Sequence, residues 1–124
     1  MIVGIGVDLV SVSRLAENLE NGRFKQKVFT AREIADCEAF KSSQQRYAGK
    51  FAAKEALMKA IGKGIRQAVG FWQIEVLNAE SGAPYLQLTG EAEKTLAALG
   101  ADRIHLSISH LEEMAVATVI LERS

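Results

Sequence analysis

The stretch FAAKEALMKA, Phe51 to Ala60, decides how the chain is read. Its alanines, Leu57 and Met58 are good helix formers, and no proline falls between Ser43 and Ile61. The apolar period there is close to 3.6, which predicts the longest helix over Ser43 to Ile61, stopped by Gly62 and Gly64. Advancing about 100° per residue from Phe51 puts Tyr47, Phe51, Leu57, Met58 and Ile61 on one apolar stripe. Lys54 falls inside that stripe, Glu55 at its edge, and Lys59 one turn further on. Two readings of these charges are open. In one, Glu55 and Lys59 form a surface i,i+4 ion pair while Lys54 snorkels out of the core. In the other, a carboxylate and ammonium groups face a polyanion and its metal at the edge of a cleft.

The segments around the helix set the fold class. Ile2 to Val10, rich in valine and isoleucine, reads as a buried strand. Ser11 and Ser13 are N-cap candidates for a helix that carries Leu15 and Leu19 and ends near Asn21-Gly22. Thr30 with Glu33 has the form of a capping box opening a second short helix. In the second half, Trp72, Ile74 and Val76 alternate with polar residues as a half-buried strand does. Asn78 to Pro84 is a turn, Tyr85 to Thr89 a further strand, and Glu91 to Leu99 a short helix closed by Gly100. Strands follow around Ile104–Ile108 and from Met114 to Leu121. Helices crowd the first half and strands the second, an α+β pattern in which a small antiparallel sheet packs with a long helix.

Composition narrows the function classes. The 124 residues suit a single domain, 1–124. Fifteen basic residues balance fifteen acidic ones, so bulk attraction to nucleic acid or a membrane surface is not expected. Cys37 is the only cysteine, so no disulfide forms within the chain and a reducing compartment is the simpler expectation. The apolar start MIVGIGVDLV lacks a basic leader and carries Asp8, and no stretch approaches the roughly 20 apolar residues of a membrane span. The expectation is a cytoplasmic protein.

Two further places bear on chemistry. Asp8 interrupts the apolar strand GIGVDLV, where a carboxylate is costly unless it is paired or bound to a metal. Alternatively it lies at the strand end and caps the next helix. Gly4 and Gly6 allow close backbone approach, but they do not make a dinucleotide fingerprint. In SISH, Ser107 to His110, alternation puts His105, Ser107 and Ser109 on the face opposite Ile104, Leu106 and Ile108, with His110 where the strand ends. Neighbouring serine and histidine in sequence are not a nucleophile and its base.

Together, GIGVDLV, FAAKEALMKA and SISH resemble the 4'-phosphopantetheinyl transferase family, in the order and length of its short, single-domain holo-[acyl-carrier-protein] synthase type. The similarity runs from Gly4 to about Glu122, with Phe71 to Val76 and Gly82-x-Pro84 in support. Lys63 departs from the pattern, since the family usually has a small polar residue there. The resemblance implies transfer of the 4'-phosphopantetheine arm of coenzyme A to a serine of apo-acyl carrier protein, releasing adenosine 3',5'-bisphosphate. It implies Mg2+ held by Asp8 and Glu55, Lys59 on the pyrophosphate and His110 near the coenzyme A phosphates; Lys63, where the chain departs from the family, is expected to add a further phosphate contact. It implies that Arg14 contacts the acidic carrier, and that the chain forms a homotrimer with sites between subunits. Two other readings compete. One is a small α+β interaction module with ion-paired helices. The other is a transferase of the same chemistry serving peptidyl or polyketide carriers, but those chains are often about twice as long with two similar halves, and no internal repeat is found here.

Overall fold

The computed structural model describes residues 1–62 and 69–124. Lys63 and Gly64, read above as a phosphate contact and a helix stop, lie outside the described residues. In chain order the elements are β1 (Ile2–Ser11), α1 (Val12–Leu19), α2 (Gly22–Val28), α3 (Ala31–Glu38), α4 (Ser43–Ile61), a 3-10 turn (Phe71–Gln73), β2 (Ile74–Asn78), β3 (Pro84–Leu88), α5 (Gly90–Ala98), β4 (Arg103–His110) and β5 (Met114–Glu122). Strands β1, β5 and β4 pair antiparallel in that order, and β2 with β3 forms a separate hairpin. The α+β expectation and the small antiparallel sheet hold.

Helix α4 lies directly on β1, and two glycines make this possible. A Cβ on Gly6 would stand 2.0 Å from the Ala56 carbonyl oxygen, and one on Gly4 would stand 2.2 Å from that of Ala60. The helix side of this contact is equally small, with Ala52, Ala53 and Ala56 fully buried and Ala60 nearly so. Small residues let other segments close in as well, so α4 is buried around most of its circumference rather than along one stripe. Phe51, expected in the buried stripe, is half-buried, and with Glu55 and exposed Lys59 it forms an open strip at four-residue spacing.

Lys54 does not snorkel. It is 0% exposed, and its ammonium donates to Glu33 Oε1 at 2.7 Å, to the Val28 carbonyl at 2.7 Å and to the Phe71 carbonyl at 3.0 Å. Burial pulls its pKa below the ordinary lysine value, and the Glu33 carboxylate opposes that shift. Glu33 is itself buried. Its Oε1 also accepts from Thr30 N at 2.9 Å, and its Oε2 accepts from Val76 N at 2.7 Å. Lys50, also buried, donates to the Val76 carbonyl at 3.0 Å and lies 3.1 Å from Asp36 Oδ2. Both backbone polar groups of Val76, on the side of β2 away from β3, are thus met by buried charged side chains instead of another strand.

Other local expectations split. The Thr30–Glu33 capping box forms in both halves. Gly22, read as the end of the first helix, instead begins a helix that the pattern reading left out. Helix α1 stops at Leu19, and the Asn21 side chain accepts from the backbone N–H groups of Arg23 and Phe24, capping α2. Trp72 and Gln73, expected in a strand, belong to the 3-10 turn, and β2 begins only at Ile74. Gly70 leaves room for the Trp72 ring, which a Cβ there would meet at 2.2 Å.

Candidate active site

Alternation along β1 puts Asp8 on the same face as Gly4 and Gly6, the face that meets α4. It therefore emerges beside the open strip of that helix. Lys59 Nζ donates to Asp8 Oδ1 at 2.9 Å and to the Val7 carbonyl at 3.2 Å. The Asp8 side chain is 14% exposed and that of Lys59 is 48% exposed. A pair this open to water contributes at most about 1 kcal/mol, so incoming ions can rearrange it. Asp8 is not the helix cap. Ser11 Oγ fills that role, accepting from Arg14 N at 3.4 Å and turning the chain into α1. That turn brings Arg14 to the same place. Asp8, Ser11, Arg14, Phe51, Glu55 and Lys59 line one open cleft of about 470 Å³. Four of the residues singled out in the sequence are thereby brought together.

His110 is not with them. It stands exposed at the end of β4 and lines a different cleft of about 280 Å³, together with Arg46, Lys50, Asn78 and Pro84. Within a single chain, then, the expected site is split in two. Ser107 and Ser109 are exposed on the outward face of the sheet, as the alternation predicts, and neither lines the cleft of Asp8. Sequence reasoning missed Arg46, whose guanidinium stacks 3.5 Å from the centre of the Phe40 ring, and missed Lys50. Their i,i+4 spacing on α4 was the available signal.

The donor set can be tested against a metal. Among the described residues no group of three or more His, Cys, Asp or Glu side chains gathers as a metal site. Two carboxylates on one cleft suit Mg2+, which commonly takes one or two protein carboxylates and completes its octahedron with phosphate oxygens and water. Asp8 already holds a cation, the Lys59 ammonium, so the position favours positive charge. The donor set of this cleft therefore fits such an ion, with Asp8 and Glu55 as the carboxylates that would hold it.

Comparison with known proteins gives the family. A family model described as the 4'-phosphopantetheinyl transferase superfamily matches residues 4–119, and the chain belongs to that family. Its relatives are more particular. It is 43% identical over 124 residues to the holo-[acyl-carrier-protein] synthase of Koribacter versatilis, covering 98% of this chain and 99% of that one. It is 44% identical over 127 residues to the synthase of the same description from Geotalea daltonii, covering 99% and 100%. Among solved structures, a holo-(acyl-carrier-protein) synthase from Bacillus anthracis in complex with CoA (3',5'-ADP) aligns with a TM-score of 0.83 at 40% identity, over 100% of this chain and 99% of that one.

Proposed function

We propose that the protein is a holo-[acyl-carrier-protein] synthase, moving the 4'-phosphopantetheine group of coenzyme A onto a serine of apo-acyl carrier protein. The carrier's serine oxygen bonds to the β-phosphorus and loses its proton. The bond from that phosphorus to the bridging oxygen breaks, and adenosine 3',5'-bisphosphate leaves. The observation that carries the reading is the convergence of Asp8, Glu55 and Lys59 on one cleft in a chain of this family. Lys59 supplies a positive charge that can leave Asp8 for a pyrophosphate oxygen and stabilise negative charge there. Asp8 and Glu55 would hold Mg2+, and the ion would neutralise charge on the phosphates. Arg14, on the rim of the cleft, meets the acidic surface of the carrier.

His110 joins this chemistry through assembly. The outward side chains of β1 are apolar and exposed, with Ile5 at 65%, Val7 at 55% and Leu9 at 64%. A homotrimer built on that face covers it and supplies His110 and Arg46 of one copy to the Asp8 cleft of the next. Residues 1–124 act as one domain in the cytoplasm. The free Cys37 thiol suits a reducing compartment of that kind. The test is incubation with coenzyme A, Mg2+ and apo-acyl carrier protein. The carrier should gain the mass of one phosphopantetheine group only when all three are present. A carrier of unchanged mass would refute the reading, and leave the interaction module in its place.

A further inference from the structure

Lys54 stands next to Glu55 in sequence yet lines neither cleft. Its three protons reach three separate segments: the last turn of α2 at Val28, the first turn of α3 through Glu33, and the turn before β2 at Phe71. A lysine ammonium has three protons, so every donor is used. Such a buried pair is weak grounds for stability, because well-packed apolar residues of similar volume often do as well. What it supplies here is direction. Helix α4 is gripped on one side by backbone contact with β1 at Gly4 and Gly6, and on another by the Lys54 knot. Between those two grips it presents Glu55 and Lys59 to the cleft. Sliding or rolling of the helix is opposed on the β1 side by contact and by the water-exposed Lys59 bonds to Val7 and Asp8, whereas the knot opposes it with directed hydrogen bonds buried from water.

We propose that Lys54, held by Glu33, is a positioning residue for the transfer reaction, setting the rotation of α4 at which Glu55 and Lys59 face Asp8. The inference rests on the proposed function, since it assigns Lys54 a part in that reaction. It separates two roles that the residue combines, holding the core together and aiming the helix.

The experiment removes both charges at once. Lys54→Met alone leaves the Glu33 carboxylate buried without its cation and should lower the melting temperature. Lys54→Met with Glu33→Gln removes both members of this buried pair and should restore the melting temperature to within a few degrees of wild type. If Lys54 aims the helix, the double variant still loses at least tenfold in kcat at 25 °C, while its KM for coenzyme A moves less than threefold. A double variant that melts like wild type and turns over within twofold of it overturns the proposal, leaving Lys54 as part of the core only. Should the double variant fail to fold, Glu33→Asp decides, since it keeps both charges and shortens the reach by one methylene. A kcat reduced threefold or more at unchanged melting temperature supports the proposal, and an unchanged kcat overturns it. An inactive wild type would remove the function and this inference together, whereas an active wild type with an equally active double variant removes the inference alone.

Discussion

At the scale of single residues, the charged positions of α4 separate by what surrounds them. Lys54 is buried, with an anion and two carbonyls around it. Glu55 and Lys59, one and five positions on, reach the cleft. Replacing Glu55 by Gln keeps the shape and removes the charge. We expect turnover to fall by about 10²–10³-fold, the usual cost of losing a preorganised electrostatic group, with stability within about 0.5 kcal/mol of wild type. Turnover at limiting Mg2+, alongside a urea melt, checks both halves, and near-normal turnover would remove Glu55 from the site. A second prediction concerns Cys37. Burial pushes its thiol from an ordinary 9.0 up to about 12. The folded pKa lies above the unfolded one, so the protonated thiol's contribution to stability is complete below pH 9 and is lost as pH rises towards 12. Cys37→Ala lacks this term. The stability of wild type relative to Cys37→Ala should therefore be flat from pH 7 to 8.5 and then decline, by at most about 1.4 kcal/mol per pH unit. Urea melts of both proteins across that range measure it, and a flat difference up to pH 10.5 would contradict it.

At the scale of elements, the contact of β1 with α4 carries the most. Gly6→Ala would drive a methyl group into the Ala56 carbonyl, and a backbone atom cannot swing aside as a side chain can. Overpacking of this kind costs about 1–3 kcal/mol, and the upper end is expected here. Because β1 also carries Asp8, the variant should lose turnover beyond what its melting temperature explains, readable by assaying it well below its melt. The same elements show what the sequence disclosed. The span of α4 and the Thr30–Glu33 cap were legible, because alanine content, helical period and cap chemistry act locally. Helix α2 was not, because Asn21-Gly22 carries both signals at once: the glycine favours a helix stop, while the asparagine side chain caps the helix that follows. Trp72 failed for a different reason. Its alternation with Ile74 mimics a strand, but the turn there is held by the buried Lys54 far away in sequence. The roles of Asp8, Glu55 and Lys59 as neighbours could be read from motif resemblance. The separation of His110 into another cleft could not, since periodicity is silent on how β4 ends relative to α4.

At the scale of the whole molecule, the proposed assembly would link the two clefts through the apolar outward face of β1. Val7 pairs with Thr118, and Leu9 with Val116, across to β5, so this face is continuous with its neighbour. If assembly on this face completes the site, Leu9→Lys should yield a folded monomer by light scattering with turnover reduced at least tenfold, while the circular dichroism spectrum stays that of wild type. A fully active monomer would refute both the trimer and the shared site. The near balance of charge fits such an assembly, because copies of a neutral chain do not repel one another strongly.

The closing of β2 by Glu33 and Lys50 has a consequence for how the molecule breathes. Strand margins normally exchange their amide protons early and invite pairing with other chains. Here the Val76 amide is tied to a carboxylate whose counter-cation belongs to α4. It should open only when the helix itself departs, and so exchange with deuterium as slowly as amides of β5. An amide that exchanged with the tip at Gly82 would show the hairpin fraying on its own. If it keeps pace with β5, the hairpin and the long helix unfold as one cooperative unit.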